Sequence, residues 1–429
     1  MTYNQALEFL FSRLPAYHRI GKAAYKASLD NTVALDDYFG HPHLKFRSVH
    51  VAGTNGKGSV SHYLASVLQE AGYKTGLYTS PHLKDFRERI RVNGEMIPEK
   101  NVISFVEAHA AIIESLQPSF FELTMAMAFD HFAGSGVEVA VVEVGMGGRL
   151  DSTNIISPLL SVITNIGHDH MDFLGSTLEA VAGEKAGIIK SRTPVIIGET
   201  QPETEKVFRS KAREMNAPVV FADKSFECTL GTLSNENGLR SYSVSRNPCK
   251  LTFSGETPLG GIYQQKNLQT VFAAAEIMKP LFNISDKNVT DGIRNVISNT
   301  HLAGRWQILG RDPLTICDTG HNKEGLEYVI SQINGLGKKK IHFVIGFVSD
   351  KDLNSVLPLF PRDAVYYFTK ASIPRALDEK ILKEKAAGAG LSGEPYASVK
   401  EAVKAALKNA GKDDLVFIGG STFIVAEAL

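Results

Sequence analysis

Between residues 47 and 197, short runs of β-branched and apolar residues alternate with stretches that have helical spacing. Strands that alternate with helices form βαβ units, because two parallel neighbours need a long crossover connection. This part of the chain is therefore predicted to form a largely parallel sheet. Its predicted strands span residues 47–52, 138–144, 159–165 and 194–197.

Residues 217–261 have a different pattern, in which single apolar residues alternate with Thr, Ser, Asn and Gly. Alternation with a period of two is typical of strands that have one buried face. This segment is predicted to form a small antiparallel sheet appended to the first one. Two helices, over 266–278 and 286–298, are predicted to follow it.

A second region of alternating strands and helices begins after residue 300. The chain has 429 residues, more than one ordinary hydrophobic core contains. Two α/β domains are therefore predicted, over 1–300 and 301–429. In the second domain the predicted strands span 314–318, 341–346, 365–369 and 415–418, and the clearest helices span 324–336 and 399–410.

The chain carries 46 basic and 46 acidic residues, so its formal net charge is +0. Without a global positive field it is not predicted to bind nucleic acid. Three cysteines without CxxC spacing argue against a disulfide framework and a structural zinc site, and favour a reducing, cytoplasmic environment. The spacing of apolar residues in 1–13 predicts an amphipathic helix rather than a signal peptide, and no apolar run approaches the roughly 20 residues that span a bilayer. No membrane partner is expected.

A glycine-rich segment, Gly53-Thr54-Asn55-Gly56-Lys57-Gly58-Ser59, separates the predicted strand at 48–52 from a predicted helix over 60–71. Glycines allow backbone N–H groups to converge on phosphate oxygens, and the helix dipole adds partial positive charge. In such a loop Lys57 reaches the β- and γ-phosphates, and the Ser59 hydroxyl reaches Mg²⁺. The usual G-x-x-x-x-G-K-[ST] pattern is altered here, since Val51 replaces the first glycine and Gly58 is inserted. A glycine-rich turn with an exposed lysine remains the alternative.

Carboxylates and histidines follow two of the predicted strands. Glu143 ends one strand and precedes a glycine turn, and His168, Asp169 and His170 follow the next strand. Side chains at the carboxyl ends of parallel strands lie beside the crevice where ligands bind. Hard oxygen ligands next to phosphate favour magnesium over zinc. The alternative is a solvated strand end with a glycine turn.

These blocks together resemble one enzyme family. Residues 51–59, 143–154 and the pair Asp169-His170 look like motifs of the Mur-ligase superfamily, closest to its folylpolyglutamate synthase and dihydrofolate synthase branch, and residues 318–322 match a further block in the same order. The resemblance implies an N-terminal P-loop ATPase domain with a mostly parallel sheet and a C-terminal Rossmann-like domain. It also implies an ATP-dependent ligase that adds L-glutamate to dihydropteroate, to folate γ-carboxylates or to both, through an acyl phosphate.

The resemblance implies which residues bind nucleotide and metal. Lys185 would react with CO₂ to give a carbamate that helps to hold a second metal ion, and the alternative is a surface lysine. Arg305 would reach the γ-phosphate, and the alternative is a surface arginine on a linker. The implied nucleotide contacts are Asn55, Gly56, Lys57, Gly58, Ser59, Val60, Asn267, Arg305 and Asp318. The implied ligands of Mg²⁺, at two sites, are Ser59, Ser80, Glu143, His170 and the carbamate of Lys185, and the implied catalytic residues are Lys57, Lys185, Arg305 and His321.

A pterin pocket is implied in the same way, in which an aromatic ring stacks on a flat heterocycle. The alternative is a capped helix start with two core aromatic residues. The chain departs from the family pattern at four places: Ser28 stands where glycine is usual, Ala303 where proline is usual and Thr319-Gly320 where Gly-Ala is usual, and the histidine of the H-Q-x-x-N element that ends at Asn267 is absent. The implied substrate contacts are Ala27, Ser28, Leu29, Ser119, Phe120, Phe121, Glu122 and Asp151.

The implied partners are small molecules, namely ATP, L-glutamate and dihydropteroate or a reduced folate, and the chain is expected to be a monomer. Two other functions stay open on the sequence. A peptidoglycan-precursor ligase would use UDP-linked substrates, and a regulatory nucleotide-binding module would not couple ATP turnover to pterin and glutamate. For residues 318–322 the alternative is structural, with Asn322 capping the following helix and Asp318 bracing the turn.

Overall fold

The computed structural model describes residues 1–14, 28–168, 171–234 and 237–429. The strands in these ranges form an eight-stranded, a three-stranded and a six-stranded sheet. In chain order the strands are β1 (Arg47–Ala52), β2 (Thr75–Tyr78), β3 (Ile90–Val92), β4 (Glu95–Met96), β5 (Val139–Glu143), β6 (Leu160–Ile163), β7 (Val195–Ile197), β8 (Val219–Phe221), β9 (Phe226–Leu233), β10 (Arg240–Arg246), β11 (Leu251–Thr257), β12 (Gln307–Arg311), β13 (Leu314–Cys317), β14 (Ile341–Ile345), β15 (Val365–Thr369), β16 (Gly393–Tyr396) and β17 (Leu415–Gly419).

The helices alternate with these strands through most of both halves of the chain. In chain order they are α1 (Tyr3–Arg13), α2 (Asp30–Tyr38), α3 (Lys57–Glu70), α4 (Glu99–Ala108), α5 (Ala110–Leu116), α6 (Phe120–Gly134), α7 (Met171–Leu174), α8 (Leu178–Ala186), α9 (Pro202–Glu214), α10 (Ala222–Ser225), α11 (Gln264–Phe282), α12 (Asp286–Arg294), α13 (Val296–Thr300), α14 (Lys323–Gly335), α15 (Leu353–Val356), α16 (Glu379–Gly388), α17 (Val399–Asn409) and α18 (Thr422–Ala428).

The eight-stranded sheet has the order β4-β3-β2-β5-β1-β6-β7-β8. Its six strands from β2 to β8 in this order are mutually parallel, whereas β3 and β4 are antiparallel additions at one edge. Strands β2, β5, β1 and β6 are buried along their length except at Arg47, as expected for a sheet covered on both faces. The predicted mostly parallel sheet is confirmed, and the carboxyl ends of these four strands share one edge.

The two other sheets also agree with the predicted fold class. Strands β11-β10-β9 form the small sheet, in which β10 and β11 are antiparallel. The six-stranded sheet has the order β12-β13-β17-β14-β15-β16, with β12 antiparallel to β13 and all other neighbours parallel. Both halves of the chain are therefore α/β, as the alternation of apolar runs indicated.

The helix predicted over 286–298 is interrupted in the structure. Asn295 ends α12 and also precedes α13, and its side-chain amide donates to Glu70 Oε1 at 2.8 Å. Asparagine side chains compete with the helical hydrogen-bond pattern and favour helix ends. The apolar spacing predicted the helical segment but not this break, because the break depends on a partner in α3.

The described chain divides into two compact units. The first comprises Met1–Thr232, Arg240–Pro258 and Gln264–Leu302, and the second comprises Leu233–Leu239, Leu259–Tyr263 and Ala303–Leu429. Domains over 1–300 and 301–429 stay a prediction. In the first unit one apolar cluster joins α1, α4 and α6 to the sheet, and in the second unit another joins α14 and α16 to β14, β15 and β17. Across the described ranges, no helix is both long and apolar enough to cross a lipid bilayer.

Candidate active site

The turn between β1 and α3 has a shape that only glycine allows at two positions. Gly53 has φ +147°, and a Cβ on it would lie 1.9 Å from Thr164 Oγ1. Gly56 has φ +86°, and a Cβ on it would lie 2.3 Å from Asn267 Oδ1. Both conformations are unfavourable for residues with a side chain. The glycines therefore let the turn lie directly against β6 and α11.

The segment after β6 holds this turn through hydrogen bonds. The backbone N–H of Thr54 donates to the Asn165 carbonyl at 3.0 Å, and the N–H of Asn55 donates to Asn165 Oδ1 at 2.8 Å. Thr164 Oγ1 donates to the Asn55 carbonyl at 2.5 Å. Thr164 and Asn165 were not among the residues predicted to form the site. Their place at the carboxyl end of a parallel strand was the signal that could have identified them.

The amino terminus of α3 has the properties of an anion site. Gly56 precedes the helix and provides no side-chain cap, so the first N–H groups of this 14-residue helix have no partner within it. Such N–H groups and the helix dipole together favour a phosphate group. The residues expected to contact nucleotide from Asn55 to Val60 lie at this helix start.

Two lysines predicted to be catalytic meet at the beginning of the turn. Lys57 Nζ donates to the carbonyls of Gly53 at 2.9 Å and Thr54 at 3.1 Å. Lys185 Nζ donates to the same Gly53 carbonyl at 2.9 Å, and the Lys185 side chain is buried. The alternative of a surface lysine is therefore wrong for Lys185. The end of α8 brings its amine to the glycine turn.

Helix α11 supports the turn from a second direction. Gln264 Nε2 donates to Ser59 Oγ at 3.3 Å, and Asn267 Nδ2 donates to Gln264 Oε1 at 2.8 Å. These contacts form a buried chain from Ser59 to the Asn267 side chain, which lies against Gly56. The structure thus shows Asn267 in contact with the turn itself, and its expected position near adenine stays a prediction.

Two of the predicted metal ligands, Ser80 and Glu143, meet where the neighbouring strands β2 and β5 end. Glu143 ends β5 and pairs in register with Val51, and its Oε2 accepts the backbone N–H of Ser80 at 3.1 Å. Glu143 is buried at 3% exposure. Hydroxyl and carboxylate oxygens are the ligands that Mg²⁺ prefers. His170 lies outside the described residues, as does the predicted substrate residue Ala27.

The two neighbouring phenylalanines of the predicted pterin pocket have different surroundings. Phe120 is buried and stacks on Phe11, with ring centroids 5.1 Å apart and an interplanar angle of 21°. Phe121 is half-buried, and its ring lies against Gly145, where a Cβ would be 2.5 Å from a ring atom. The ring centroid of Phe121 is 5.9 Å from that of Tyr78. Phe120 therefore belongs to the core, and Phe121 is the partly exposed ring.

Ser119 and Glu122 form the amino-terminal cap of α6. Ser119 Oγ accepts the N–H of Glu122 at 3.2 Å, and Glu122 Oε2 accepts the N–H of Ser119 at 2.5 Å. This reciprocal pair is a capping box. Glu122 Oε2 also accepts Asn31 Nδ2 at 3.5 Å, which brings the start of α2 beside α6. The structural alternative therefore describes these two side chains well.

The segment before α2 contains the remaining described substrate candidates. Ser28 Oγ accepts the backbone N–H of Asp30 at 3.0 Å, and Leu29 precedes the helix. Since Asn31 contacts Glu122, residues 28–31 lie near the start of α6. Their predicted contact with substrate stays a prediction.

Asp151 is buried and fully engaged by its own loop. Oδ2 accepts the backbone N–H groups of Gly145 at 3.0 Å and Met146 at 2.9 Å, and Oδ1 accepts the N–H and the hydroxyl of Thr153 at 3.0 and 2.5 Å. Burial raises the pKa of Asp151, and these hydrogen bonds act in the opposite direction. Asp151 thus shapes the glycine turn that touches Phe121.

Arg89 is a buried charge near this region that was not predicted from the sequence. Its side chain is 5% exposed, its Nε donates to His82 Nδ1 at 2.8 Å, and its guanidinium carbon lies 5.2 Å from the Phe120 ring centroid. Burial lowers the pKa of Arg89, whereas Tyr78 and Glu143 act in the opposite direction. Arg91 is equally buried, so the contact with Phe120 is what places Arg89 beside this region.

In the second unit, the predicted residues Arg305, Asp318 and His321 lie on two turns that hydrogen-bond to each other. The N–H of Thr319 donates to the Gly304 carbonyl at 3.0 Å. Asp318 Oδ2 accepts the Tyr263 hydroxyl at 2.5 Å, and Oδ1 accepts the N–H of Gly320 at 2.7 Å. A further bond to Asp318 Oδ2 comes from the N–H of Trp306 at 2.7 Å.

Burial raises the pKa of Asp318, while the charge of Arg305 and the hydrogen bonds to its carboxylate act in the opposite direction. His321 Nδ1 lies 3.0 Å from the Thr319 carbonyl, so Nδ1 carries the proton and donates. Asn322 Oδ1 accepts the N–H of Gly325 at 2.9 Å and caps α14. The structural alternative for residues 318–322 is correct for Asn322 and Asp318, and their roles toward nucleotide stay predictions.

One cluster of potential metal ligands was not expected. Among the described residues, Asp36, Asp37 and His41 each offer a ligand atom within 4.8 Å of the others. The Asp36 carboxylate accepts His41 Nδ1 and His43 Nδ1, each at 2.7 Å. The hydrogen bond to Asp36 raises the pKa of His41. These hydrogen bonds account for the cluster, because they hold the segment after α2 against that helix.

Comparison with known proteins agrees with this geometry. Residues 51–275 match the family described as Mur ligase middle domain, and residues 304–422 match the family described as Mur ligase, glutamate ligase domain. The dihydrofolate synthase/folylpolyglutamate synthase of Bacillus subtilis is 33% identical over 440 residues, which cover 99% of this chain and 98% of the relative. The enzyme of the same description from Escherichia coli is 34% identical over 392 residues, covering 88% and 85%.

Solved structures give the same result. Escherichia coli FolC in complex with DHPP and ADP has a TM-score of 0.84 and 30% identity, covering 100% of this chain and 97% of that chain. Folylpolyglutamate synthase from Thermotoga maritima has a TM-score of 0.81 and 31% identity, covering 99% and 95%. The chain therefore belongs to the folylpolyglutamate synthase and dihydrofolate synthase family of Mur ligases, ATP-dependent enzymes that add glutamate to folates.

Proposed function

We propose that this chain activates the carboxylate of dihydropteroate, the γ-carboxylate of a reduced folate, or both, as an acyl phosphate and joins it to the α-amine of L-glutamate. The observation that carries the proposal is the uncapped start of α3, where Gly53 and Gly56 leave no room for a Cβ and two lysines converge. Such a site binds a triphosphate by its backbone. The relative solved with ADP and DHPP supports nucleotide and pterin as substrates.

In the proposed site the backbone N–H groups from Asn55 to Val60 hold the triphosphate. Lys57 moves from the loop carbonyls to the β- and γ-phosphates, because a phosphate oxygen is a stronger acceptor for an ammonium group than a neutral carbonyl is. Its present bonds to Gly53 and Thr54 keep the chain within reach of that position. Arg305, Asp318 and His321 are proposed to contact γ-phosphate, ribose and phosphate respectively, as the family resemblance implies.

The reaction proceeds in two steps, phosphorylation of the carboxylate and transfer of the acyl group to glutamate. A carboxylate oxygen attacks the γ-phosphorus, and the bond to the β–γ bridging oxygen breaks so that ADP leaves with the electron pair. The glutamate nitrogen then attacks the acyl carbon, the carbon–oxygen bond to phosphate breaks, and the nitrogen gives up a proton. The protein contributes positioning and charge stabilisation rather than covalent chemistry.

Ser59, Ser80, Glu143, His170 and Lys185 are the proposed ligands of Mg²⁺ at two sites. Bound Mg²⁺ would neutralise charge on the β- and γ-phosphates. The oxygen-rich donor set and the buried Glu143 support this choice of metal. For Lys185 we propose a carbamate, formed when its neutral amine attacks CO₂ and releases a proton, because its buried Nζ lies at the glycine turn where an anionic oxygen could serve as a ligand.

The function is tested by measuring ADP release with glutamate present, in parallel assays with dihydropteroate and with tetrahydrofolate. ADP release that requires glutamate and one or both pterins is the expected result. Turnover with UDP-linked peptidoglycan precursors instead would contradict the substrate, and ATP turnover indifferent to pterin and glutamate would contradict the ligase reaction. The relative rates with the two pterins also decide which of the two activities the chain has.

The carbamate has its own test. Activity in CO₂-depleted buffer is expected to fall and to return on adding bicarbonate, whereas Lys185→Ala is expected to be inactive in both buffers. Equal activity of the wild type with and without CO₂ would contradict the carbamate while leaving the ligase function intact.

We also propose that the chain works as a monomer in the cytoplasm. The cysteines Cys228, Cys249 and Cys317 are free, which suits a reducing environment. Light scattering of the purified protein tests the oligomeric state, and a mass of 46.7 kDa is expected for a monomer.

A further inference from the structure

A buried histidine lies in the middle of the eight-stranded sheet, three residues before the glycine turn. His50 is on β1 and has no exposed surface, and its strand neighbours Val49 and Val51 are apolar. Burial lowers the pKa of His50 to about 3, and the charge of Lys190 acts in the same direction. The imidazole is therefore neutral in the folded protein. A polar group at this position requires an explanation, because an aliphatic side chain would fill a central strand without the cost of burying a polar ring.

Hydrogen-bond directions define which nitrogen of His50 carries the proton. His50 Nε2 lies 2.8 Å from Thr153 Oγ1, and that hydroxyl donates its single proton to Asp151 Oδ1 at 2.5 Å. Thr153 Oγ1 can then only accept from His50, so Nε2 is the protonated nitrogen. His50 Nδ1 is buried without a partner. The His50 ring therefore makes one side-chain hydrogen bond, and a chain of two hydrogen bonds runs from His50 through Thr153 to Asp151.

Asp151 connects this chain of hydrogen bonds to the glycine turn after β5. Its two oxygens accept the backbone N–H groups of Gly145, Met146 and Thr153 as well as the Thr153 hydroxyl. A carboxylate buried with four donors has one orientation that satisfies all of them, and loss of any donor leaves an unsatisfied charge. The position of Gly145 therefore depends on a set of bonds in which His50 is the outermost member.

Gly145 in turn fixes one side of the Phe121 ring. A Cβ at Gly145 would lie 2.5 and 2.6 Å from two ring atoms, so backbone and ring are in direct contact. We propose that His50 is a positioning residue for the flat heterocycle of the substrate: it directs the Thr153 hydroxyl onto Asp151, and Asp151 holds Gly145 against Phe121. The inference rests on the proposed pterin substrate and adds to it a residue without contact to pterin or nucleotide.

The test compares changes that remove the donor with changes that keep it. His50→Leu removes the Nε2 donor and Thr153→Val removes the hydroxyl at nearly constant shape, whereas His50→Gln and Thr153→Ser keep a donor in place. The KM for dihydropteroate and tetrahydrofolate is expected to rise about tenfold in the first two variants, as for loss of one hydrogen bond to a charged group. The KM for ATP and kcat are expected to stay within about threefold of wild type, and the Gln and Ser variants are expected to restore the pterin KM within the same limit.

A double variant tests whether His50 and Thr153 act on pterin binding through one shared path or independently. Because both residues act through one path, His50→Leu with Thr153→Val is expected to be no worse than the weaker-binding single variant. If the pterin KM instead rises about a hundredfold, the product of two independent effects, the shared path is overturned. If His50→Leu does not fold, Thr153→Val against Thr153→Ser carries the same comparison.

The chain offers a matched control pair of the same chemistry. His62 Nδ1 lies 2.8 Å from Thr300 Oγ1, and that hydroxyl donates to the Val296 carbonyl rather than to a carboxylate beside the glycine turn. His62→Leu and Thr300→Val are expected to lower the melting temperature without changing the ratio of the pterin KM to the ATP KM. An equal change of this ratio in both pairs would show a merely structural effect and overturn the inference.

Failure of the inference is distinguishable from failure of the proposed function. A wild-type protein that binds neither pterin, measured by isothermal titration calorimetry, overturns the proposed function and this inference with it. Wild-type binding that is unchanged in His50→Leu and Thr153→Val overturns the inference alone.

Discussion

Two turns in this chain each connect a parallel strand to the start of a helix. They differ in whether a side chain caps the backbone N–H groups at that helix start. The turn after β1 enters α3 through Gly56, which provides no side-chain cap. The turn after β13 enters α14 through Asn322, whose side chain accepts the N–H of Gly325. The first turn leaves helix N–H groups available, and the second satisfies one of them internally.

The charged side chains at the two turns also differ in how firmly their hydrogen bonds hold them. Asp318 in the second turn already accepts three hydrogen bonds from its own unit. At the first turn the charged donor is Lys57, which rests on the neutral carbonyls of Gly53 and Thr54. A cation on a carbonyl is readily transferred to a phosphate, whereas a buried carboxylate with three donors is held in place. The difference supports the proposed anion site at the first turn, and the three hydrogen bonds to Asp318 fix the shape of the second turn.

The largest effect is expected from removing the cation of the first turn. Lys57→Ala is expected to lower kcat for glutamate-dependent ADP release by about 10³-fold, because positive charge on the β- and γ-phosphates is lost. Circular dichroism and the melting temperature are expected to stay near wild type, since Lys185 still bonds to Gly53. Full turnover by a folded Lys57→Ala protein would remove the contrast between the two turns.

A smaller effect is expected from closing the first turn sterically. Gly56→Ala places a Cβ 2.3 Å from Asn267 Oδ1 at a positive φ, so ATP is expected to bind about 100-fold more weakly in titration calorimetry. Gly72→Ala is the matched control, because Gly72 also has a positive φ but follows the other end of α3 with nothing within 4 Å of its Cβ. That control is expected to lose about 1 kcal/mol of stability and no ATP affinity. Equal ATP binding by both variants would contradict the anion site.

The buried titratable groups near the two turns should respond to pH with opposite signs. The folded pKa of His50, about 3, lies below the unfolded value of 6.5, so the unfolded chain takes up a proton first and stability is lost as pH falls below 6.5. Asp318 has a raised folded pKa, so its contribution is lost as pH rises above 3.8.

His50→Gln removes the loss of stability that His50 causes as pH falls below 6.5. Between pH 6.5 and pH 5 this variant is expected to lose about 2 kcal/mol less stability than wild type, measured by urea unfolding at each pH. The expected difference vanishes above pH 7. Parallel curves for the two proteins from pH 5 to pH 8 would show that His50 titrates normally in the fold.

The smallest effect is expected from removing the cap of the second turn. Asn322→Ala is expected to cost about 1 kcal/mol, since the N–H of Gly325 loses its partner, and to lower the melting temperature by a few degrees. Asn322→Asp keeps an acceptor and is expected to remain near wild type. A loss of stability in Asn322→Asp as large as in Asn322→Ala would show that the cap is not the cause.

The sequence by itself determined the elements and the chemistry that depend on neighbouring residues. Apolar runs predicted β1, β5 and β6 to within a few residues, because a strand buried on both faces needs a continuous apolar stretch. The order of glycines, Lys57 and Ser59 after such a strand predicted an anion site, because backbone N–H groups and a helix start are local properties. The motif blocks in their order also indicated the family.

Only the tertiary structure decided which distant groups meet at those elements. Thr164, Asn165 and Lys185 contact the turn because the sheet order puts β6 beside β1, and this order is a property of the whole sheet rather than of either strand. Phe120 and Phe121 are identical in type and adjacent in sequence, yet the first packs on Phe11 and the second faces Gly145. Their roles differ because helix phase and the facing layer determine burial, and a single sequence gives the residue type but not the surface that will cover it.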